Sequence, residues 1–307
     1  MPQVTKMPAL PMLSQRKKSK ISTSRKPIDT NMSISAADVK KLRDQTGAGM
    51  MDCKKALSES NGDMEKAVEI LRKKGQKVSE KRADREANQG VIVSLISDDN
   101  KKAVALELNC ETDFVAKNDE FVQYANDFAK VVFDTDPADR EALLQAKIGS
   151  LTVADMLKDL IGKIGEKIDI GRFETLKSEG QIFDYIHPGN KLCVLVEFEG
   201  AVDNPDTAKD VAMQVAAMNP LAVTREGVDT SILEKEKEIA REQLINEGKP
   251  AEIAEKAAMG KMRRFFEERV LLEQKFVKDG TLSVQEYLKQ SGAPLVTSFV
   301  RIQLGGQ

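Results

Sequence analysis

Two short strands followed by an amphipathic helix occur twice in this sequence, and no other feature limits the fold as strongly. Residues 91–109 contain two runs rich in β-branched residues around an Asp-Asp-Asn turn, and residues 119–133 then place apolar side chains at helical spacing. Residues 181–199 and 206–218 repeat this order around the turn His-Pro-Gly-Asn. A hairpin with an apolar face needs a covering layer, which the following helix supplies. The sequence therefore predicts an α+β fold with a duplicated core of antiparallel sheets that carry helices.

Three short helices are predicted in front of this core, between residues 32 and 75. Ser35 and Asp38 form a helix-start box, in which a hydroxyl and a carboxylate three residues apart satisfy free backbone N–H groups. A Gly-Ala-Gly turn separates the first helix from the second, and Asp63 is expected to cap the third. About 40 residues is near the lower limit for an independent core, so little apolar surface is expected outside it.

The rest of the chain divides by composition. The densely charged stretch 76–89 predicts a solvated linker or a frayed helix, and a strand at 294–304 is expected to join the second sheet. A helical hairpin is predicted around Gly-Lys-Pro. Its expected seam is thin and partly polar, and consists of Ile232, Glu236, Ile239, Gln243, Ile253, Ala257, Met262 and Phe265. The expected division is a disordered basic leader at 1–31, a three-helix docking module at 32–75, a linker at 76–89, a core N-subdomain at 90–179 and a core C-subdomain at 180–304, with the hairpin inserted at about 230–269.

The leader is defined by its charge. Residues 1–31 hold seven Lys and Arg residues against one Asp, with no sustained hydrophobic period. Such a composition predicts disorder. It is also typical of an organelle transit peptide, but Met32 directly precedes the first capped helix and suits a start codon. A mis-called start or a dispensable extension is therefore the favoured interpretation of these residues.

Composition and the lack of certain motifs argue against several classes of function. Forty-seven basic and forty-nine acidic residues give a net charge of -2, which is too balanced for a protein that coats nucleic acid by charge alone. No apolar run approaches the roughly 18 residues of a membrane span, and three scattered cysteines favour a reducing cytoplasmic setting. The single histidine, His187, and the lack of a glycine-rich phosphate motif argue against hydrolases, metal enzymes and nucleotide-binding proteins. We expect a protein that is not an enzyme and has no metal or cofactor.

Two segments carry candidate functional residues. Met50 and Met51 are adjacent where a loop becomes a helix, so both cannot face a small core, and an outward Met is an adaptable protein contact. The alternative is that they fill gaps in that core. Asp113 and Phe114 lie on a connecting loop, where function concentrates; alternatively Asp113 caps a helix and Phe114 is buried under the hairpin. His187 lies in a turn, for which a structural role is the simpler interpretation.

Three longer motifs give a more specific signal. They are LRDQTGAGMMDCKKAL at 42–57, ELNCETDFVAKNDEF at 107–121 and EGKPAEIAEKAAMGKMRRF at 247–265. In this order they resemble the bacterial elongation factor Ts family, and the similarity runs from about residue 32 to residue 304. The resemblance implies a guanine-nucleotide exchange factor that binds elongation factor Tu in its GDP-bound and nucleotide-free states. It would displace the magnesium ion and promote GDP release so that GTP can bind, without covalent chemistry and without binding nucleotide, nucleic acid or membrane itself.

The resemblance also implies roles for individual residues. In that family a ubiquitin-associated-like three-helix module docks on the GTPase domain, a Thr-Asp-Phe-Val element dislodges magnesium, and a helical hairpin lets some members associate. Self-association through the hairpin is thus a further implication for this chain. Carried over position by position, the resemblance assigns partner contacts to Arg43, Met50, Met51, Ile164 and His187, and a magnesium-displacing wedge to Thr112, Asp113, Phe114 and Val115.

A second hypothesis from another class is a ribosome- or RNA-associated scaffold protein. It would use the basic leader and the charged stretch at 72–89, with the duplicated core as support. Neither segment contains Phe, Tyr or Trp. Because bases would find no ring to stack on, such binding would be weak and sensitive to salt.

Overall fold

Three helices open the part of the chain that the computed structural model describes, residues 34–306. These helices are α1 (Ala36–Thr46), α2 (Met50–Glu59) and α3 (Met64–Arg82). The predicted leader at 1–31 lies outside the described residues. As the sequence predicted, Ser35 and Asp38 form a reciprocal capping box at the start of α1, and the Asp63 side chain caps α3.

The three helices share a small core of their own. Its position follows from the helical period, because each helix turns one apolar stripe toward the other two. The buried side chains of this core are Val39, Leu42, Cys53, Ala56, Leu57 and Ala67.

Helix α3 continues into the stretch 76–89, for which the sequence predicted a solvated linker or a frayed helix. It runs through Arg82, so this stretch is helical over its first half. The extra turns are stabilised by tertiary contacts: Gly75 lies against the backbone of Gly162, and Val78 packs on the core that follows. The charge of this stretch indicated exposure, but it could not show that one face of the helix is covered.

A three-stranded antiparallel sheet begins after α3. The elements of this region are β1 (Gln89–Ile96), β2 (Lys102–Cys110), α4 (Asp113–Ala116), α5 (Asp119–Thr135), α6 (Arg140–Gln145), β3 (Lys147–Ile148), β4 (Leu151–Thr152), α7 (Val153–Ile164) and β5 (Ile168–Lys177). The sheet order is β1-β2-β5, and Val91 lies opposite Leu108 in the first pair. The predicted hairpin and the helix after it are confirmed. The elements from α6 to β5 were not predicted.

The second sheet repeats the arrangement of the first. The remaining elements are β6 (Gln181–Ile186), β7 (Leu192–Phe198), α8 (Pro205–Met218), α9 (Thr230–Asn246), α10 (Ala251–Arg269), β8 (Lys275–Phe276), β9 (Asp279–Ser283), α11 (Val284–Ser291) and β10 (Val296–Gln303). In each sheet a hairpin is followed by a helix, and a later strand, β5 or β10, pairs antiparallel with the second strand of the hairpin. The strand expected at 294–304 therefore joins the second sheet as predicted.

The two sheets pack face to face, and helices cover both outer faces. Side chains alternate along β2, so Ala103 and Ala105 face the second sheet while Leu106 and Leu108 face α5 and α7. Along β7, Leu195 faces the first sheet and Val194 and Val196 face α8. The core is therefore four layers deep, helix on sheet on sheet on helix, which is the mixed α+β class that the sequence indicated.

Helices α9 and α10 pack against each other through only part of the predicted seam. Ala257 packs against the contact, but Ile232, Ile239 and Ile253 are exposed. Alanines let two helices approach closely, and the isoleucines are left outside this contact. The buried side chains between the two helices are Ala240, Leu244, Ala254 and Ala258. Among residues 34–306, no helix has the length and apolar character that crossing a membrane requires.

Candidate functional site

The Phe114 side chain projects from a single turn of helix. α4 begins directly after β2, and the Thr112 hydroxyl accepts a hydrogen bond from the Val115 amide at 3.4 Å, which caps its start. Ala116 is buried and Val115 packs half-buried on the core, so these two residues hold the turn in place. Phe114 is 83% exposed. The alternative in which this ring is buried under the hairpin is therefore wrong, and the capping residue is Thr112, not Asp113.

Glu166 holds the α4 turn from the other side. Its carboxylate accepts hydrogen bonds from the Thr112 amide at 3.1 Å and from the Thr112 hydroxyl at 2.8 Å. The Cys110 thiol donates to the Thr112 carbonyl at 3.1 Å. Burial raises the pKa of the Cys110 thiol to about 12, so it stays protonated and remains a donor. The amide and the carbonyl of Thr112 are thus both hydrogen-bonded, which fixes the backbone that leads to Phe114.

Glu111 ties the same loop to the end of α3. Its carboxylate accepts hydrogen bonds from the Arg82 guanidinium at 2.7 Å, the Arg85 guanidinium at 2.9 Å and the Lys167 amide at 2.6 Å. Burial alone raises the pKa of this carboxyl, but the Lys167 amide and the two guanidinium groups outweigh it and hold the pKa at about 2. Glu111 is therefore charged throughout the neutral range.

Asp113 lies beside Phe114 with its side chain 45% exposed, and it has a local cation partner. The Lys117 ammonium donates to its carboxylate at 2.7 Å, one helical turn away. This hydrogen bond and the charge of Lys117 lower the pKa of Asp113. Since both side chains are open to solvent, the pair costs little to separate. Asp113 is therefore available to change partners when a surface docks here.

The two methionines lie on the three-helix group and both point to solvent. Met50 is 57% exposed and Met51 is 75% exposed, at the first turn of α2. Arg43, in the last turn of α1, is exposed as well. The alternative in which the methionines fill gaps in the small core is therefore wrong. An exposed pair of soft apolar side chains beside a cation suits contact with another protein.

Ile164 lies at the end of α7, and His187 lies in the hairpin turn of the second sheet that contacts β1. Ile164 is the last residue of α7 and is half-buried against the core, two residues before Glu166. His187 is exposed in the β6–β7 turn, with its Nδ1 atom 3.0 Å from the Tyr185 hydroxyl. The carbonyl of Asn190 in the same turn accepts the amide of Ile92 at 2.7 Å, which fixes the turn against β1.

The structure brings some of the predicted residues together and not others. The wedge at 112–115 is hydrogen-bonded to Glu166, which lies two residues after Ile164. The His187 turn is hydrogen-bonded to β1 of the first sheet. Met50 and Met51 belong to a separate group of helices. The Lys163 side chain packs against Gly47 in the turn before α2 and pairs with Glu120 at the start of α5. The end of α7 therefore touches both candidate surfaces.

Sequence reasoning missed the residues that hold the wedge. Glu166 is 54 positions from Thr112 along the chain, and Arg82 is 29 positions from Glu111. Neither pair has a local pattern that predicts the contact. The one available signal was that Glu111 directly precedes the Thr-Asp-Phe-Val stretch.

The charged run that the RNA hypothesis relied on is largely neutralised. Within residues 34–306, five of its basic side chains lie within ion-pair distance of a carboxylate, which leaves little free positive charge for a phosphate backbone. These five are Arg72, Lys73, Lys74, Arg82 and Arg85. In the same described range, no three His, Cys, Asp or Glu side chains are grouped so that they could hold a metal ion.

Comparison with known proteins agrees with the motifs. The family model described as Elongation factor TS matches residues 111–306. An elongation factor Ts of Christiangramia forsetii is 48% identical over 274 residues, which covers 89% of this chain and 99% of that protein. One from Amoebophilus asiaticus is 48% identical over 277 residues, with 89% and 100% covered, and one from Clostridium perfringens is 47% identical over 282 residues, with 89% and 93% covered. The chain belongs to the elongation factor Ts family of translation elongation factors.

Proposed function

We propose that this protein is the guanine-nucleotide exchange factor for elongation factor Tu. It binds the GDP-bound form, displaces the magnesium ion and promotes GDP release so that GTP can enter. One observation carries this proposal more than any other: Phe114 stands 83% exposed on a turn that Glu166 and Glu111 hold rigidly. A large apolar ring held out in water by a fixed scaffold needs a partner surface to cover it.

The mechanism works through shape. Magnesium requires near-octahedral oxygen ligands at about 2.0 to 2.1 Å, so a small displacement of the elements that supply those ligands breaks its coordination. Phe114 inserts between elements of the GTPase domain, and burial of its ring contributes about 2 kcal/mol toward the displaced conformation. No covalent bond is made or broken in this step, so the protein would act as an exchange factor and not as an enzyme.

Asp113 acts next to the wedge by changing hydrogen-bond partners. In the free protein its carboxylate is satisfied by Lys117. On docking it accepts new hydrogen bonds from the partner, which offsets the loss of the exposed pair. His187 and Ile164 contact the partner beside the wedge; Ile164 lies two residues before Glu166, and the His187 turn is bonded to β1.

The first three helices supply a second point of contact. We assign them to a ubiquitin-associated-like docking module in which Arg43, Met50 and Met51 contact the GTPase domain. Two contact points strengthen binding because the second is made within an existing complex. Linkage requires that a factor which weakens GDP binding is itself weakened by GDP, so GTP entry and factor release follow from the same coupling.

The test is a nucleotide-release measurement. Elongation factor Tu loaded with fluorescent GDP is mixed with excess unlabelled nucleotide, with and without this protein. The proposal expects faster loss of fluorescence with the protein present, and a faster rate when magnesium is removed by chelation even in its absence. If the release rate is the same with and without the protein at saturating concentration, the proposed function is wrong.

We further propose that α9 and α10 associate with a second copy of the chain. The observation in favour is a set of apolar side chains on the outside of this pair. They are Ile239, Ile245, Ile253 and Met259. Sedimentation of the full chain over a range of concentrations should reveal a dimer that the double substitution Ile253→Glu with Met259→Glu converts to monomer. A single monomeric species at every concentration would contradict this assignment.

A further inference from the structure

Helix α3 belongs to two structural units at once. Its first half packs on α1 and α2 through Ala67, and its second half packs on the sheet-and-helix core through Val78. It is one continuous helix of 19 residues, so it spans about 28 Å without a break. If the angle of α3 on the core changes, the methionine surface on α2 therefore moves with it.

Helix α3 meets α7 of the core through a glycine-to-glycine contact. A Cβ atom placed on Gly162 of α7 would lie 2.7 Å from the Cα of Gly75, which is closer than side-chain carbons approach backbone. A Cβ atom on Gly75 would lie 3.2 Å from the Lys158 carbonyl oxygen and 3.5 Å from the Cα of Gly162. Both neighbours are backbone and cannot rotate away, so any larger residue at 162 forces the two helices apart.

Three contacts of α3 with the core lie on one helical face. Gly75, Val78 and Arg82 are spaced by three and four positions, as residues on one side of a helix are. Val78 packs on the core, and Arg82 reaches Glu111 at 2.7 Å. Glu111 immediately precedes the wedge at 112–115, so the same helix face meets both α7 and the loop that carries Phe114.

The other contacts that hold the three-helix group on the core are made by long or partly exposed side chains, such as Lys163 against Gly47. A cavity of about 250 Å³ lies beside the glycine contact, between the Thr46 and Ala48 side of the group and Tyr124 and Met156 of the core. The Arg72–Asp159 pair across this boundary is 3.7 Å long and partly exposed. Exposed ion pairs are weak constraints, and an open cavity supplies none. The contacts on the shared face of α3 therefore set the angle.

We propose that Gly75 and Gly162 are positioning residues for nucleotide exchange. Their close contact sets the docking angle of α3 and thereby the separation between the Met50 and Met51 surface and Phe114. This inference rests on the proposed function, since it assumes that both surfaces meet one partner. A rigid spacing lets both surfaces engage together without a search over orientations.

Forcing the two helices apart is expected to lower the apparent affinity for the partner more than the maximal rate of GDP release. When helices are forced apart, the correct spacing is one of several orientations, and apparent affinity falls by the fraction of molecules that hold it. If a tenth of the molecules do, the concentration for half-maximal GDP release rises about tenfold. The maximal rate changes less than twofold, because a fully docked complex still inserts Phe114.

Matched glycine substitutions test the idea in the full-length protein. Gly162→Ala places its Cβ against backbone at 2.7 Å, Gly75→Ala is milder at 3.2 Å, and Gly260→Ala in α10 meets nothing within 4 Å. The half-maximal concentration should rise most for Gly162→Ala, less for Gly75→Ala and not at all for Gly260→Ala. Should Gly162→Ala fail to fold, Gly75→Ala still decides the question.

A distance measurement gives a readout that needs no partner. The native cysteines, Cys53, Cys110 and Cys193, are buried, so spin labels can be placed at Ser58→Cys on α2 and Lys130→Cys on α5. A protein without these two substitutions, which should take up no label, is the control for labelling. We expect one narrow distance distribution in the parent protein and in Gly260→Ala, and a shifted or broadened one in Gly162→Ala.

The outcomes separate this inference from the proposed function. An unchanged distance distribution in Gly162→Ala and Gly75→Ala overturns the positioning role, and so does a changed distribution with an unchanged half-maximal concentration. If the parent protein does not accelerate GDP release at all, the proposed function fails, and the distances alone then decide whether the glycine contact sets the spacing. A changed distribution together with a raised half-maximal concentration supports the inference.

Discussion

The carboxylate of Glu166 accepts two hydrogen bonds from Thr112, one from its amide at 3.1 Å and one from its hydroxyl at 2.8 Å. This double contact joins the second residue after α7 to the second residue before Phe114. A hydroxyl that already caps α4 is thereby fixed in its rotamer, and the direction of the exposed ring is set by a side chain from another part of the chain.

Removal of this contact should slow exchange without abolishing binding. Glu166→Ala leaves the Thr112 amide without its acceptor and is expected to cost about 1 to 3 kcal/mol of unfolding free energy. The maximal GDP-release rate should fall because Phe114 is no longer held at one angle. Glu166→Gln keeps one amide oxygen as acceptor and should recover part of both losses. Urea unfolding and stopped-flow GDP release measure the two quantities; equal rates for all three proteins would contradict the positioning role of Glu166.

Truncation of the wedge should leave the fold unharmed. Phe114→Ala removes an exposed ring, so unfolding free energy should change by no more than about 0.5 kcal/mol. Complex formation with elongation factor Tu should remain largely intact, while GDP release slows. Phe121→Ala is the matched control, since this ring is fully buried and its loss should cost about 3 to 5 kcal/mol. A Phe114→Ala variant that releases GDP at the parent rate would exclude the wedge.

Truncation of the methionine surface should weaken binding more than it slows GDP release. The double substitution Met50→Ala with Met51→Ala removes exposed apolar area that only a partner can bury. We expect weaker binding to elongation factor Tu, by about 1 to 3 kcal/mol, with thermal stability nearly unchanged. Calorimetric titration measures the affinity. If these two substitutions and Phe114→Ala reduce binding and release in the same proportion, the proposed division of labour between the surfaces is wrong.

The Glu111 contacts should make stability depend on acid pH. Because the folded pKa of Glu111 is about 2, below its ordinary value of 4.5, its contribution to stability is present above about pH 4.5 and is lost as pH falls toward 2. Glu111→Gln should therefore be less stable than the parent near neutral pH, and the gap should close between about pH 4.5 and pH 2. Denaturant unfolding across this range measures the gap. A constant difference at all pH values would show that the charge of Glu111 is not responsible.

Local pattern was sufficient for most elements and for the candidate residues. The capping box at Ser35 and Asp38, the two hairpins and the helices after them all depend on neighbours within a few positions, and the structure places them as predicted. Helix α7 and strand β5 went unpredicted, although Thr152 and Asp155 form a cap at the start of α7. Thr152 and Asp155 are three residues apart, which is a local signal for a helix start.

Contacts between distant positions could not be predicted in the same way. The charge after residue 75 predicts a solvated linker or a frayed helix, yet Gly75, Val78 and Arg82 form one face that meets the core. The helical period of α9 and α10 predicts a seam with Ile232, Ile239 and Ile253, yet three alanines and Leu244 are the buried residues of the contact. In both cases the residues that make the contact lie on different elements, so no short stretch of sequence contains both sides of it.

The sequence by itself determined the helices and hairpins, the family and the identity of the Thr-Asp-Phe-Val and Met-Met stretches, because each is encoded by residues close together in the chain. Only the tertiary structure decided that Phe114, Met50 and Met51 face solvent, that Glu166 and Glu111 hold the loop that carries Phe114, and that Gly162 lies against Gly75. Exposure and spacing are set by which surfaces pack together, and packing depends on close approach between backbones that are far apart in sequence.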